Sequence, residues 1–330
     1  MSTTQNNQFV NSKEGLNNMH PVKKIMVGLD NTEMDTSLIQ FASFLARTGS
    51  AEYVHFVNVI KRTPLPSPLR QEFPNLLEKA QVERRRELEK KVIEHFDLTL
   101  PAKAKISIEE GTMPSKQILK LADKHSVDAI VIGRKKSLKN NSVVTQRLAR
   151  RATCSLLIVP EREYTRVSKL MVAVDFTRES VAALEEALSV ARREGAAGSK
   201  IDIICHHAYQ VPVGYHYSGK TFEECGDVMC EHARKKYDKF IKKVDTSGVK
   251  VIPSFSLVKN DDVVSNIYET AQENNVDCIV IGGKGKSAPT ALFPIGTTTE
   301  RLVEKDSEIP LLIVRHKHKN AGLIDMLQRI

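Results

Sequence analysis

The chain has no run of the roughly 18 to 20 apolar residues that a membrane-crossing helix needs, so no membrane partner is expected. Its first twenty residues, MSTTQNNQFVNSKEGLNNMH, are polar and asparagine-rich and lack the apolar core of an export signal. Residues 1–21 read as a disordered leader, and the expected location is cytoplasmic. Five cysteines, an odd number without framework spacing, exclude a disulfide scaffold and suit a reducing compartment. Cys278 lies inside an apolar run and Cys154 just before one, as small core residues do. Cys225, Cys230 and His232 do not follow the usual zinc spacing, and no metal is expected. The net charge of +9 is spread along helices. Its densest run, Glu83 to Glu87, mixes signs in a helical pattern, which reads as a solvated face and not as a nucleic-acid patch. No Ser-His-Asp order and no paired catalytic carboxylates stand out, so an enzyme is not the default reading.

What the chain does contain is a repeat. KIMVGLD, ending at Asp30, is answered by KLMVAVD, ending at Asp175. DAIVIG, ending at Gly133, is answered by DCIVIG, ending at Gly282, and SLLIVP (155–160) by PLLIVR (310–315). The offset grows from 145 residues at the first pair to 149 at the second and 155 at the third. Helix-like stretches separate the runs, with Leu38, Phe41, Ala42 and Leu45 on one face in the first copy and Leu184, Ala187, Leu188 and Ala191 in the second. Strands rich in Val and Ile that alternate with helices predict an α/β fold. The expectation is two tandem, doubly wound, parallel five-stranded sheets with helices on both faces. Their bounds are 22–160 and 167–315, joined by a linker at 161–166 and followed by a basic tail at 316–330. Ligands of such sheets sit beyond the carboxyl ends of the strands, near the switch in strand order.

The last increase in offset falls in the loop from Gly282 to Lys305. Gly282, Gly283 and Gly285 let the backbone turn sharply and bring amides near an anion. Gly296 precedes Thr297-Thr298-Thr299-Glu300, read as a capping box with Thr297 at the N-cap and Glu300 three residues on. A glycine and hydroxyls at a helix start suit a phosphate, and Lys284 and Lys286 add charge. Gly285-Lys286-Ser287 is not the end of a P-loop, because the required earlier glycine is Val280. Gly283-x-Gly285-x-x-Ala288 is not a dinucleotide fingerprint, because Pro289 follows and the segment sits on the fourth strand of its copy.

A strand-ending aspartate, then G-x-x-G, a spacer of about nine residues and G-[ST] before a helix and a final apolar strand resembles the universal stress protein family, over both copies. The resemblance implies an adenine nucleotide, ATP with magnesium where phosphates are engaged, as a sensor or regulatory ligand. It also implies that Asp175 meets the adenine or ribose end, and that Gly282, Gly285, Gly296 and Thr297 hold ribose and phosphates. Thr298 and Lys286 stand beside them as further candidates. The spacer here, 286–295, is one residue longer than usual and contains Pro289 and Pro294.

The first copy departs from this pattern. Ser142 and Val143 stand where the second copy has Gly296 and Thr297, and Lys136 replaces the second glycine of G-x-x-G. Only five residues separate Lys136 from Ser142, a poor phosphate cradle. One nucleotide per chain is therefore expected, in the second copy. The final strand of such domains often mediates pairing, so the two copies are expected to pair with each other, with homodimerisation open as well. A nucleotide-free interaction module and a slow ATP hydrolase are the rival readings. The tyrosine-rich segment 211–220 is a candidate lid over the second pocket.

Overall fold

The computed structural model describes residues 22–49, 51–61, 66–135, 143–161, 166–260, 262–284, 295–305 and 307–315. The leader, the tail, Gly285 and Lys286 lie outside the described residues.

The first half runs β1 (Lys24–Leu29), α1 (Met34–Gly49), β2 (Tyr53–Lys61), α2 (Ser67–Glu72), α3 (Leu76–His95), β3 (Lys103–Gly111), α4 (Pro114–Lys124), β4 (Ala129–Arg134), α5 (Val143–Arg151) and β5 (Ser155–Pro160). The second half repeats it as β6 (Lys169–Ala173), α6 (Arg178–Ala196), β7 (Asp202–Tyr209), α7 (Phe222–Ile241), β8 (Val251–Leu257), α8 (Val263–Glu273), β9 (Cys278–Gly282), α9 (Thr297–Glu304) and β10 (Leu311–Val314). β7 runs beyond its apolar residues and includes His206 and His207.

Each half is a parallel five-stranded sheet, and the two halves are one ten-stranded sheet in the order β3-β2-β1-β4-β5-β10-β9-β6-β7-β8. The seam is antiparallel, with Leu311 opposite Ile158, Leu312 opposite Leu157 and Ile313 opposite Leu156. Pairing the last strands removes one edge from each half, where unpaired amides and carbonyls would otherwise template association.

Strand residues alternate between two cores. Ile25, Val27, Leu170 and Val172 face α1, α3, α6 and α7, while Met26, Ile130, Met171 and Ile279 face α4, α5, α8 and α9. Each core runs across the seam, so the halves share their buried surface. The aspartate that opens both DAIVIG and DCIVIG works at the amino edge of the sheet. Asp128 Oδ2 accepts the backbone N–H groups of Lys23 and Lys24 at 2.9 and 2.8 Å. Asp277 Oδ2 does the same for Ser168 and Lys169 at 2.7 and 2.9 Å. These carboxylates align β1 with β4 and β6 with β9, far from the carboxyl edge where a ligand would sit.

Two arginines lock the seam from opposite sides. Arg134, at the end of β4 and 5% exposed, donates to the carbonyls of Leu302, Val303 and Ser307 at 3.3, 3.2 and 3.5 Å, closing the carboxyl end of α9. Arg315, just past β10, donates to the carbonyls of Ala149 and Ala152 at the end of α5. Cations are favourable there because the last turn of a helix leaves carbonyls unpaired. Arg150 adds an ion pair to Glu300 at 2.6 Å, and Arg47 of α1 one to the buried Glu194 of α6 at 3.0 Å. Arg134→Ala is expected to cost about 2 kcal/mol, since the charged donor to the Val303 and Ser307 carbonyls is lost, while Leu302 keeps the Tyr268 hydroxyl. An unfolding free energy in urea that changes by less than about 0.5 kcal/mol would show the latch to be dispensable.

Candidate functional site

In each half the strand order reverses between the first and fourth strands, β1 and β4 or β6 and β9. In the second half Asp175 follows β6 and Gly282 ends β9, so the two lie on either side of this switch point. The chain turns abruptly after the aspartate in both copies, with Asn31 at φ 62° and Phe176 at φ 66°. A bulky residue in the left-handed region is strained and needs its surroundings to hold it. Phe176 is held by stacking on His207, with ring centroids 4.4 Å apart, and by an edge contact to Phe240 at 5.6 Å. His207 Nδ1 in turn donates to the Val174 carbonyl at 2.7 Å. Asn58 takes the same role in the first half, donating to the Leu29 carbonyl at 2.8 Å.

The Asp175 carboxylate is already oriented. Its Oδ1 accepts from the Thr177 amide at 3.1 Å, the Thr177 hydroxyl at 2.5 Å and the Ser180 hydroxyl at 2.7 Å. Thr177 caps α6, accepting from the Ser180 amide. The acid is thereby pinned at the start of α6 and its rotamer is fixed by the cap.

Gly282 has a packing duty. A Cβ there would lie 2.7 Å from Glu179 Cβ and 2.8 Å from the Glu179 carbonyl oxygen, so the glycine lets β9 approach the first turn of α6. Gly283 donates its amide to the Val314 carbonyl at 3.0 Å, and its own carbonyl accepts from the Gly296 amide at 2.9 Å. The two ends of the 284–295 loop are therefore tied together, which brings the start of α9 beside the end of β9. The buried Thr299 hydroxyl donates to the Gly282 carbonyl at 3.0 Å and fastens the helix to the strand.

The cap of α9 differs from the sequence expectation. Gly296, with φ −74° and ψ 148°, is the N-cap, Thr297 is the first helical residue, and no side chain caps the helix. Glu300 does not reach back, because its carboxylate pairs with Arg150 across the seam. Thr297 is exposed and Thr298 half-buried, so both hydroxyls stand at the helix start. A capping box does exist elsewhere, at the start of α7, where Thr221 and Glu224 bond reciprocally. The bonds above put Gly282, Gly296 and the start of α9, with Thr297 and Thr298, at the carboxyl end of β9, while Asp175 follows the adjacent strand β6; Gly285 and Lys286 lie outside the described residues.

At the equivalent edge the first half pairs its own charges. Lys135, aligned with Lys284, forms an ion pair with Asp30. Lys91 of α3 reaches the fully buried Asp35 at 3.1 Å and the Thr32 carbonyl at 2.8 Å, and Asn31 donates to Glu87. Burial pushes the Asp35 carboxyl above its ordinary range, against the opposing pull of Lys91. Sequence reading found the shortened loop but missed these pairs, because Glu87 and Lys91 approach from a helix more than fifty residues away. Among the described residues no cluster of three His, Cys, Asp or Glu side chains is disposed to hold a metal, and no helix is long and apolar enough to cross a membrane.

The family model described as the universal stress protein family matches residues 21–160 and again 167–315. A universal stress protein from Archaeoglobus fulgidus is 18% identical and superposes with a TM-score of 0.60, covering 89% of this chain and 98% of its own. A putative universal stress protein from Pseudomonas aeruginosa UCBPP-PA14 is 14% identical, with a TM-score of 0.57 over 90% of this chain and 95% of its own. A functionally unknown protein from Pseudomonas aeruginosa PAO1, also 14% identical, gives 0.57 over 90% and 94%. At these identities the superpositions speak to the fold alone. No curated protein sequence matches the chain. The two family matches together span most of the sequence, and the chain belongs to the universal stress protein family, carrying two copies of its domain.

Proposed function

We propose that the second half binds one adenine nucleotide, ATP, as a sensor or regulatory ligand, while the first half serves as a self-closed partner. The observation that carries this reading is the start of α9. It is a helix N-terminus with a glycine N-cap and no side-chain cap, tied to the end of β9, and β9 pairs with β6, the strand that the already oriented Asp175 follows. Its first amides have no partner within the helix, and the helix dipole favours an anion there. Asp175 would accept from the nucleoside end and the α9 start would hold the phosphates. Lys284 would add charge at the same edge. The first half offers no equal site, because Lys135 already occupies Asp30 and Val143 stands where Thr297 does. The reading includes no catalytic step, and magnesium would enter only with the phosphates.

The two halves share cores and buried latches, so the test belongs on the full chain. Thr297 does not cap α9, so Thr297→Val is expected to leave stability within about 0.5 kcal/mol. If the phosphates rest on this helix start, the loss of one hydrogen bond to a charged group lowers ATP affinity by about tenfold or more. Adenosine should bind parent and variant alike. Calorimetry that finds one ATP per chain, with this selective loss, supports the assignment. ATP affinity unchanged by Thr297→Val removes the phosphates from α9, and no binding of either ligand favours the nucleotide-free interaction module.

A further inference from the structure

The connection from β7 to α7 leaves the sheet at its carboxyl edge, on the strand directly beside β6 and the Asp175 turn. Its base is fastened. Tyr215 packs on Phe222 with ring centroids 5.6 Å apart, Ser218 Oγ meets Cys225 Sγ at 3.6 Å, and the Thr221–Glu224 capping box closes the far end. Its tip is bare, with Tyr217 94% exposed and Val213 fully so. Tyr215, Tyr217 and Ser218 belong to a single turn of 3-10 helix, Tyr215–Ser218, bracketed by Gly214 at φ 85° and Gly219 at φ 73°. Both glycines take a conformation that other residues rarely adopt, and a Cβ on Gly219 would meet nothing within 4 Å. Left-handed glycines on either side let this short turn move as one piece, and such a swing exchanges the Tyr215–Phe222 and Ser218–Cys225 contacts for contacts over the crevice.

We propose that Tyr217 is a base-contacting residue, which the segment 211–220 carries over the second-half crevice to lie on the face of a bound adenine. The inference rests on the nucleotide reading above and extends it. A large exposed ring earns no burial in the ligand-free chain, whereas a purine offers it a flat, weakly polar partner. The connection of the first half differs: it carries α2 and the partly exposed Phe73, its sequence has no glycine to bracket a turn, and Lys135 pairs with Asp30 at the same edge. The contact is with the base, so phosphates alone should not engage it.

The chain contains no tryptophan, so Tyr217→Trp places a single indole at the tip. ATP and adenosine are both expected to quench the emission of that indole, while inorganic triphosphate leaves it unchanged. Tyr217→Ala should weaken both ligands by about tenfold, and Tyr217→Phe, which keeps the ring, should restore the parent affinity. Calorimetry on the same preparations separates the two ideas. ATP binding with unchanged indole emission and an unaffected Tyr217→Ala variant overturns the base contact and leaves the nucleotide site standing. No ATP binding by the parent chain overturns both.

Discussion

Replacing Gly282 with valine is expected to unfold the protein, whether or not a nucleotide is present. A Cβ at this position would lie 2.7 Å from Glu179 Cβ, 2.8 Å from the Glu179 carbonyl oxygen and 2.9 Å from its carbonyl carbon. Two of these three atoms are backbone in the first turn of α6, and they cannot move without displacing the helix that carries Thr177 and Ser180. Overpacking of this kind typically costs 1 to 3 kcal/mol, and more where backbone must shift, so Gly282→Ala should lose about 3 kcal/mol or more. Gly133, its counterpart, faces the Met34 side chain, with Cγ at 2.7 Å. A thioether chain can repack, so Gly133→Ala should cost clearly less. Urea midpoints for the two alanine variants decide the matter. Equal losses, or a greater loss at Gly133, would mean that the β9–α6 approach is not what fixes Gly282. The contrast also rules out Gly282→Val as a probe of ligand binding, because loss of affinity there would report loss of fold.

The repeats made the strands legible, since a parallel sheet covered on both faces demands continuous Val and Ile runs and both copies keep them. The order of elements and the position of Asp175 and Gly282 at strand ends follow from those runs. What sequence could not supply was contact between residues far apart. Thr297-x-x-Glu300 has the local pattern of a capping box, and a local pattern is all that spacing can reveal. Arg150, 150 residues earlier, takes the Glu300 carboxylate, and Gly296 becomes the cap. Arg134 and Arg315 likewise read as basic residues at the ends of apolar runs. They become latches only because β5 and β10 pair in antiparallel fashion and carry each arginine over a helix of the opposite half. The pairing of Asp30, Asp35 and Asn31 with Lys135, Lys91 and Glu87 belongs to the same class. The candidate site was visible as a list of residues, but the reason for the inequality of the halves was only half visible, in the shortened loop.

Acid is expected to destabilise the chain well before its carboxylates titrate, through two buried histidines. His55 and His206 are each 1% exposed, in the middle of β2 and β7. Burial, reinforced for His55 by Lys105 and His125 and for His206 by His207, lowers each from 6.5 to about 4. His206 is well placed as a neutral ring. Ser256 donates to Asn266, so it accepts from His206 Nε2 at 3.2 Å, and Ser254 can donate to Nδ1 at 3.0 Å. Both rings stay neutral in the folded chain below pH 6.5, whereas the unfolded chain takes up protons there. Stability from these groups is therefore complete above about pH 6.5, falls as pH drops towards about 4, and levels off below. The fall from 6.5 to about 4 corresponds to about 3.4 kcal/mol per ring as an upper bound, or about 7 kcal/mol for the pair. The check is the free energy of urea unfolding between pH 7.5 and 4.5, compared with the double variant His55→Gln and His206→Gln. Glutamine keeps a donor and an acceptor for the serines but cannot titrate, so its profile should be much flatter. Parallel profiles for parent and variant would show that the acid sensitivity of the fold arises elsewhere.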